Sequence, residues 1–498
     1  MRYLSTVHCV NFRKTIDIPA HYVLQSKLGE GSPDQNENGE QAMESKAVRD
    51  FCAVEIIKEL DPITKKFPCS NGAFEMISSL VSVDTFNSFI ENAPQKGFYE
   101  TNRDADSRHV YVTLESRRER LYLLYSIPTE ELRCIWERRT ERADFSDGAS
   151  GDVKVMQIGI GNYGNHTDDP MVGMGYLIRT ANGHAVIVDG GFDTEGCADS
   201  IYRGLEQLDI AKVDGLFAVD AWYITHLDGD HVGILKSFFT KYKDLVSVKS
   251  FVQNFPIGDP ALIHGNYIQV GKDYISLMRS AYPEACVITA HPSDVFSYSG
   301  AKIKMLATAE LHYGTFSKIL DGNDASLVFM LEANGRKMLF MGDAGEVSSR
   351  SMYYAYDGDT LKCDVLQVPH HGLTTGCSVF LRTICEHVHL SRIYGMTDPD
   401  LIMLPMGETF NRYSVSTYGN NQRKWVFANY PQDGYFLDSA ENDFGYVGGN
   451  IIVKNKENGK KLVSYMMSTD EEPMITVFVF SENGISVEVN EPLKSYFN

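Results

Sequence analysis

Four Asn-Gly dipeptides, each set between two apolar runs, constrain this chain more than any other feature. They lie in GYLIRTANGHAVIVDGG, SLVFMLEANGRKMLFMGD, IIVKNKENGKKLVSYMM and MITVFVFSENGISVEV. Both residues of the pair tolerate positive φ, so the pair between strand-like runs predicts a tight hairpin. Between the hairpins stand helical stretches, HVGILKSFFTKYKDL and DYISLMRSAYPEA. Hairpin sheets with interspersed helices predict a layered domain, with sheets packed together and helices outside.

The chain has 498 residues, too many for one ordinary core. The first part has a different texture. Residues 26–49 are polar, acidic and poor in large apolar side chains, which predicts a loop. Around them the pattern predicts a strand over Tyr3–Phe12, a helix from Ala47 and a second helix near Thr85–Glu91. Two alternating runs follow, HVYVTLES and ERLYLLYSI, then PTEELRCIWERRTER, which predicts a helix. ADFSDGASGD, residues 143–152, is small, polar and Gly-rich, as a linker would be. The division expected is a smaller N-terminal α+β domain over 1–150 and a sheet-rich domain over 151–498 that ends in a C-terminal hairpin extension.

One short stretch carries chemistry. THLDGDHVG, residues 225–233, crowds His226, Asp228, Asp230 and His231 straight after the apolar run LFAVDAWYI. A loop leaving the end of a buried strand is where a rigid scaffold presents functional groups. Imidazoles and carboxylates are the ligands that borderline and hard divalent cations prefer. A hydrophobic core would reject four such groups, and a solvated turn has no need of them.

The stretch resembles the signature loop of the metallo-β-lactamase superfamily, whose usual form is His-x-His-x-Asp-His. Here Asp228 stands where the second histidine would be, a variant similar to the nuclease-like domain of DNA-uptake competence proteins. Three further stretches follow the family's order. AVIVDGGFD carries Asp189, matching the aspartate that buttresses the metal loop. NDASLVFMLEANGRKMLFMGDAGE ends in Asp343, where the family places a carboxylate bridging two metals. CDVLQVPHHGLTTG carries His370 and His371, the second matching the last histidine ligand. The resemblance covers roughly residues 152–435. It implies an α/β fold, the αβ/βα sandwich of that superfamily, preceded here by the smaller α+β domain. It also implies His226, Asp228, Asp230, His231, Asp343 and His371 as metal ligands. Asp230 would orient the attacking water, with Asp189 and His370 supporting the ligands.

This chain also departs from the family. A further histidine usual before the SLV strand is replaced by Asn323 and Asp324, and the late Asn…His pair of the competence branch is reduced to Asn411. Oxygen-rich ligands favour harder ions, so two divalent cations are expected, zinc or manganese, with magnesium as a third candidate. Asn323 is a candidate for a metal or for the substrate's oxyanion. His312 is close enough in sequence to replace the missing ligand, but reads better as an ordinary loop histidine. His264, His291, His387 and His389 lack ligand-like neighbours and read as structural.

Two cations about 3.5–4 Å apart activate a water between them and polarise the bond under attack. The oxygen-rich loop points to phosphodiesters, which makes nucleic acid or nucleotides the expected partners. With 46 basic against 66 acidic residues the formal charge is −20, which disfavours a long duplex. Hydrolysis of an ester, lactone or thioester is the alternative activity, and a degenerate binding scaffold is the alternative without one. The arginines of RRERLYLLY and RCIWERRTER alternate with glutamates, as on a solvated helix face rather than a nucleic-acid surface. The N-terminal domain is left with partner binding or self-association as its expected role. Nine dispersed cysteines without a C-x-x-C pair, an N-terminus without an apolar leader and the lack of a 20-residue apolar run predict a cytoplasmic protein away from membranes.

Overall fold

The computed structural model describes residues 64–140, 145–158, 173–257, 267–313, 322–372, 393, 395–405, 450–454, 461–465 and 476–488. The strand expected over Tyr3–Phe12, the loop over 26–49 and the helix from Ala47 lie outside them.

The first sheet has six antiparallel strands: β1 (Thr64–Pro68), β2 (Phe74–Ser78), β3 (Tyr99–Ala105), β4 (His109–Glu115), β5 (Glu119–Ser126) and β6 (Glu131–Arg138). Their order is β1-β2-β6-β5-β4-β3. A further Asn-Gly pair turns β1 into β2, with Asn71 at φ 55° and Gly72 at φ 75°. The expected helix near Thr85 is α1 (Val83–Asn92), capped by the Ser82 hydroxyl, which accepts from Thr85 N.

The helix expected over PTEELRCIWERRTER is corrected: Glu131–Arg138 is a strand in the middle of the sheet. It pairs antiparallel with β2 on one side and β5 on the other. Glu, Leu and Arg favour helix in isolation, but two flanking strands satisfy both edges of this backbone, and the strand buries Leu132, Cys134, Ile135 and Trp136. Its arginines are therefore not on a solvated helix face. Arg133 is buried with Glu75 and Glu131, and Arg120 with Glu115 and Glu137.

Two larger sheets follow. One contains β7 (Val153–Gln157), β8 (Gly175–Arg179), β9 (Ala185–Asp189), β10 (Lys212–Val213), β11 (Leu216–Tyr223), β12 (Val246–Val248), β13 (Ser250–Gln253) and β14 (Cys286–Thr289). The other contains β15 (Val295–Tyr298), β16 (Ala301–Ala307), β17 (Val328–Ala333), β18 (Arg336–Phe340), β19 (Val365–Gln367), β20 (Leu401–Pro405), β21 (Asn450–Lys454) and β22 (Lys461–Tyr465). The chain then returns to the former with β23 (Thr476–Ser481) and β24 (Gly484–Glu488), where β23 pairs with β7. All four hairpins expected from Asn-Gly pairs have antiparallel strands: β8–β9, β17–β18, β21–β22 and β23–β24.

Side-chain alternation sets the layers. Along β9, Val186 and Val188 enter the core between the two sheets, while Ala185 and Ile187 face helices on the other side. Those helices are α2 (Glu195–Gln207), α3 (Gly229–Val232), α4 (Ile234–Tyr242) and α5 (Tyr267–Ala281). Along β17, Phe329 and Leu331 enter the central core, and Val328 and Met330 face outward to α6 (Glu346–Ala355). The result is the expected αβ/βα sandwich. The six-stranded sheet packs on that second outer face, where Tyr111 joins the cluster of Met352 and Tyr356 and its hydroxyl donates to Ala355 O at 2.9 Å. Part of the expected linker is docked rather than free: Phe145 stacks on Tyr298 at 5.1 Å. Among the described residues no helix is long and apolar enough to cross a membrane.

Candidate metal centre

Parallel strands β9 and β11 are neighbours, and both end on the same edge of their sheet. The end of β9 carries Asp189, fully buried, at φ 51°. A non-glycine residue in the left-handed region is unusual and concentrates where a site over-determines the backbone. Trp222 Nε1 holds the Asp189 carbonyl at 2.9 Å. The Asp189 carboxylate then receives Thr225 N at 2.8 Å and the Thr225 hydroxyl at 2.7 Å, which fixes the first residue of the THLDGDHVG loop. The loop closes into α3 and α4 at Gly233, where a side chain would collide with the Gly229 carbonyl and Asp193 N. That crowding explains the glycine after the second histidine.

Opposite lie the loops after β18 and β19. Gly342, at φ 53°, turns the chain into Asp343, and His370 and His371 follow at φ 47° and 51°. The loops after β11, β18 and β19 meet on one atom. Asp343 Oδ2 lies 3.2 Å from His231 Nε2, 3.6 Å from His371 Nε2, and 3.8 Å from both His226 Nε2 and His370 Nε2. Asp230, His231, Asp343 and His371 each offer one ligand atom within 4.8 Å of the others. Asp230 Oδ2 is 3.2 Å from His371 Nε2, and Asp228 Oδ2 is 3.6 Å from His226 Nε2. His226, His231, His371 and Asp343 are buried, while the side chains of Asp228, Asp230 and His370 are 35%, 18% and 18% exposed and form the open side.

Each inner imidazole is held by its other nitrogen. His231 Nδ1 donates to Asp189 Oδ2 at 2.8 Å, and His371 Nδ1 to Pro405 O at 2.8 Å. The Thr225 hydroxyl, already donating to Asp189, accepts from His226 Nδ1 at 3.0 Å. These acceptors select the tautomer that leaves each Nε2 with a lone pair toward Asp343. Those Nε2 atoms are buried without a hydrogen-bond partner, as is Asp343 Oδ1. Buried polar atoms seldom go unpartnered, because the desolvation cost is then uncompensated. Three unpartnered nitrogens and a carboxylate oxygen on one point fit a divalent cation.

The charges agree. Burial opposes the charged form of His231, but Asp343, Asp230 and Asp189 outweigh it and hold its pKa well above the usual imidazole value. His371 is raised in the same way by Asp343 and Asp230. Burial pushes Asp230 up, yet His231 and His371 bring it down to about 2, and Asp343 lies well below the carboxylate range against the same opposition. The pocket holds ionised carboxylates that require positive charge, from protons or from a cation in their place.

The structure thus brings together His226, Asp228, Asp230, His231, Asp343, His370 and His371, with Asp189 behind them. Asn323 is buried in a 3-10 turn, and its Oδ1 has no partner. No described hydrogen bond joins it to the cluster. His312 faces the Ser348 hydroxyl at 3.2 Å instead, and burial together with Arg133 depresses its pKa to about 3. Asn411, His264, His387 and His389 lie outside the described residues. Sequence reasoning missed Thr225, Ser326 and Gln367. Ser326 Oγ accepts from Asp343 N at 3.0 Å and lies 3.4 Å from His226 Nδ1. A polar residue inside an otherwise apolar strand, as in DVLQV, was the available signal for Gln367.

Residues 168–384 match the family model described as "Metallo-beta-lactamase superfamily". Similar solved structures include the metallo-beta-lactamase fold protein YhfI from Bacillus subtilis, 13% identical, covering 55% of this chain and 92% of that one at a TM-score of 0.32. CmlA, a diiron beta-hydroxylase from Streptomyces venezuelae, is 13% identical, covering 54% and 47% at 0.28. The short form of human tRNase Z is 12% identical, covering 51% and 90% at 0.28. No curated protein matches the chain in sequence. At these identities nothing about substrate passes from those proteins to this one.

Proposed function

We propose that this protein is a metal-dependent hydrolase of that superfamily that cleaves phosphodiester bonds in nucleic acid or nucleotides. The observation that carries the metal reading is the set of buried, unpartnered atoms around Asp343: Nε2 of His226, His231 and His371, and Asp343 Oδ1. His231, His371, Asp230 and Asp343 would hold one cation, and His226, Asp228 and Asp343 a second, with Asn323, whose Oδ1 is buried without a partner, a candidate for a further oxygen donor. Zinc suits the first set; the oxygen-richer second set also suits manganese or magnesium. A divalent cation supplies an acidified water and polarises the bond under attack.

The chain's own groups do the rest. Asp230, on the open side, would orient the attacking water. Asp189 holds His231 in its ligating tautomer and, through Thr225, does the same for His226. His370 sits at the rim beside Asp343, where it would support the ligands. Support for phosphodiesters comes from the carboxylate-rich loop, since hard cations pair well with phosphate oxygens. The formal charge of −20 favours short or single nucleotides over long duplex.

The test is a substrate panel with protein purified without chelator. Manganese-dependent hydrolysis of a phosphodiester, with little activity on carboxylic esters, lactones or thioesters and loss of activity in Asp230→Ala, is the expected result. Turnover of the esters alone would replace the phosphodiester reading. Metal-loaded protein inert to both groups would leave a binding scaffold.

A further inference from the structure

Gln367 ends β19 and is completely buried, yet every hydrogen-bonding position of its carboxamide is used. Oε1 accepts from Met341 N at 2.7 Å and Gly342 N at 2.9 Å. Nε2 donates to Gly342 O at 3.1 Å and Val368 O at 2.6 Å. The parallel ladder between β18 and β19 ends at Leu339 and Leu366, just where the two chains leave for different loops. One loop delivers Asp343, the other His370 and His371. Beyond the ladder the Gln367 side chain takes the place of backbone pairing, helped by His370 N, which donates to the same Gly342 carbonyl at 3.1 Å.

We propose that Gln367 is a positioning residue of the metal centre, its amide setting the separation between the Asp343 loop and the His370–His371 loop so that both reach one ion. The inference rests on the metal reading above. It follows from the chemistry of the group. Only a carboxamide offers two acceptor sites at one end and two donors at the other in this space. Glutamate at this position keeps the acceptor but turns an oxygen toward two carbonyls. Methionine fills the volume and leaves Met341 N and Gly342 N buried without a partner. His370 and His371 both sit at positive φ, a conformation that in non-glycine residues persists only where surrounding contacts enforce it.

The experiment uses the full chain with cobalt(II) as the probe. Cobalt affinity, from competition with a chromophoric chelator, and the visible absorption of the bound ion are compared for wild type, Gln367→Glu and Gln367→Met. Denaturant unfolding of each metal-free protein is measured alongside. Wild type is expected to bind cobalt. Both variants should bind about 10–100-fold more weakly, the usual effect of losing a group that orients ligands, with a shifted absorption band reporting altered ligand geometry. Cobalt affinity within twofold of wild type and an unchanged spectrum in a folded variant would overturn the proposal while leaving the metal reading intact. Wild type that binds no cobalt would overturn the metal reading itself. If Gln367→Met does not fold, Gln367→Glu alone decides.

Discussion

Two of the buried clusters of histidine and carboxylate among the described residues are built on opposite principles. In the cluster between the six-stranded sheet and the sandwich, His291 Nδ1 meets Glu310 at 2.8 and 2.9 Å, and its Nε2 meets Glu137 Oε2 at 3.3 Å. Glu137 in turn accepts from Arg120 and from the Tyr122 hydroxyl at 2.8 and 2.9 Å. Both nitrogens of that ring have protein partners. Around Asp343 each inner histidine has one nitrogen anchored and the other left over. Composition is similar in the two places; satisfaction differs. A histidine whose nitrogens are both engaged by the protein holds the fold together, and one with a buried, aimed lone pair is offering a ligand.

The strongest way to break this comparison is Asp343→Ala, which removes the carboxylate on which four imidazoles converge. Bound metal should be lost, and hydrolysis should fall by at least about 100-fold, the upper range for losing even an outer supporting group. Elemental analysis showing full metal content in that variant would end the distinction. His291→Ala is the complementary cut. It leaves Glu310 and Glu137 buried without their shared partner, at a cost of roughly 3–5 kcal/mol in denaturant unfolding. Metal content should stay unchanged.

The pH dependence sharpens the same contrast. Burial opposes charge on His291, but Glu310 and Glu137 lift its pKa to about 10. A base raised in the folded state stabilises fully below its unfolded value, near 6.5, and that contribution is lost as pH climbs toward 10. Nearby Glu75 is raised by burial to about 8 despite Arg133, so its contribution is lost between the unfolded value near 4.5 and 8. Metal-free protein should therefore lose stability from pH 7 to 10, by about 1.4 kcal/mol per pH unit at most from His291. In His291→Ala the slope should flatten, and an unchanged slope would remove His291 from the explanation. Asp189→Asn should have the smallest effect. The fold persists, while metal affinity measured by chelator competition drops about 10–100-fold, because His231 and Thr225 lose the charge that orients them.

Much of the scaffold was legible. The Asn-Gly pairs announced four hairpins because a turn's requirement for positive φ is met by the turn residues themselves. The apolar run before THLDGDHVG announced a buried strand, and β11 is one. The helix expected over PTEELRCIWERRTER gave way to the strand Glu131–Arg138 because strand pairing on both sides outweighed local preference. The imidazoles and carboxylates that gather around Asp343 were readable from Asp228, Asp230, His231 and His371, whereas Thr225, Ser326 and Gln367 were not. Each of these acts on a group brought to it by folding, such as Ser326 on His226, 100 positions away.

Left to itself, the sequence determined turn chemistry, strand periodicity and which loops carry imidazole and carboxylate, all of which depend on neighbours a few positions apart. Only the tertiary structure decided that Asp343 Oδ2 is the common point of four histidines, and which nitrogen of each inner ring is left to bind. The reason is that a buried polar atom's satisfaction depends on whatever the packing sets beside it. For His231 that is Asp189, and for His371 the carbonyl of Pro405.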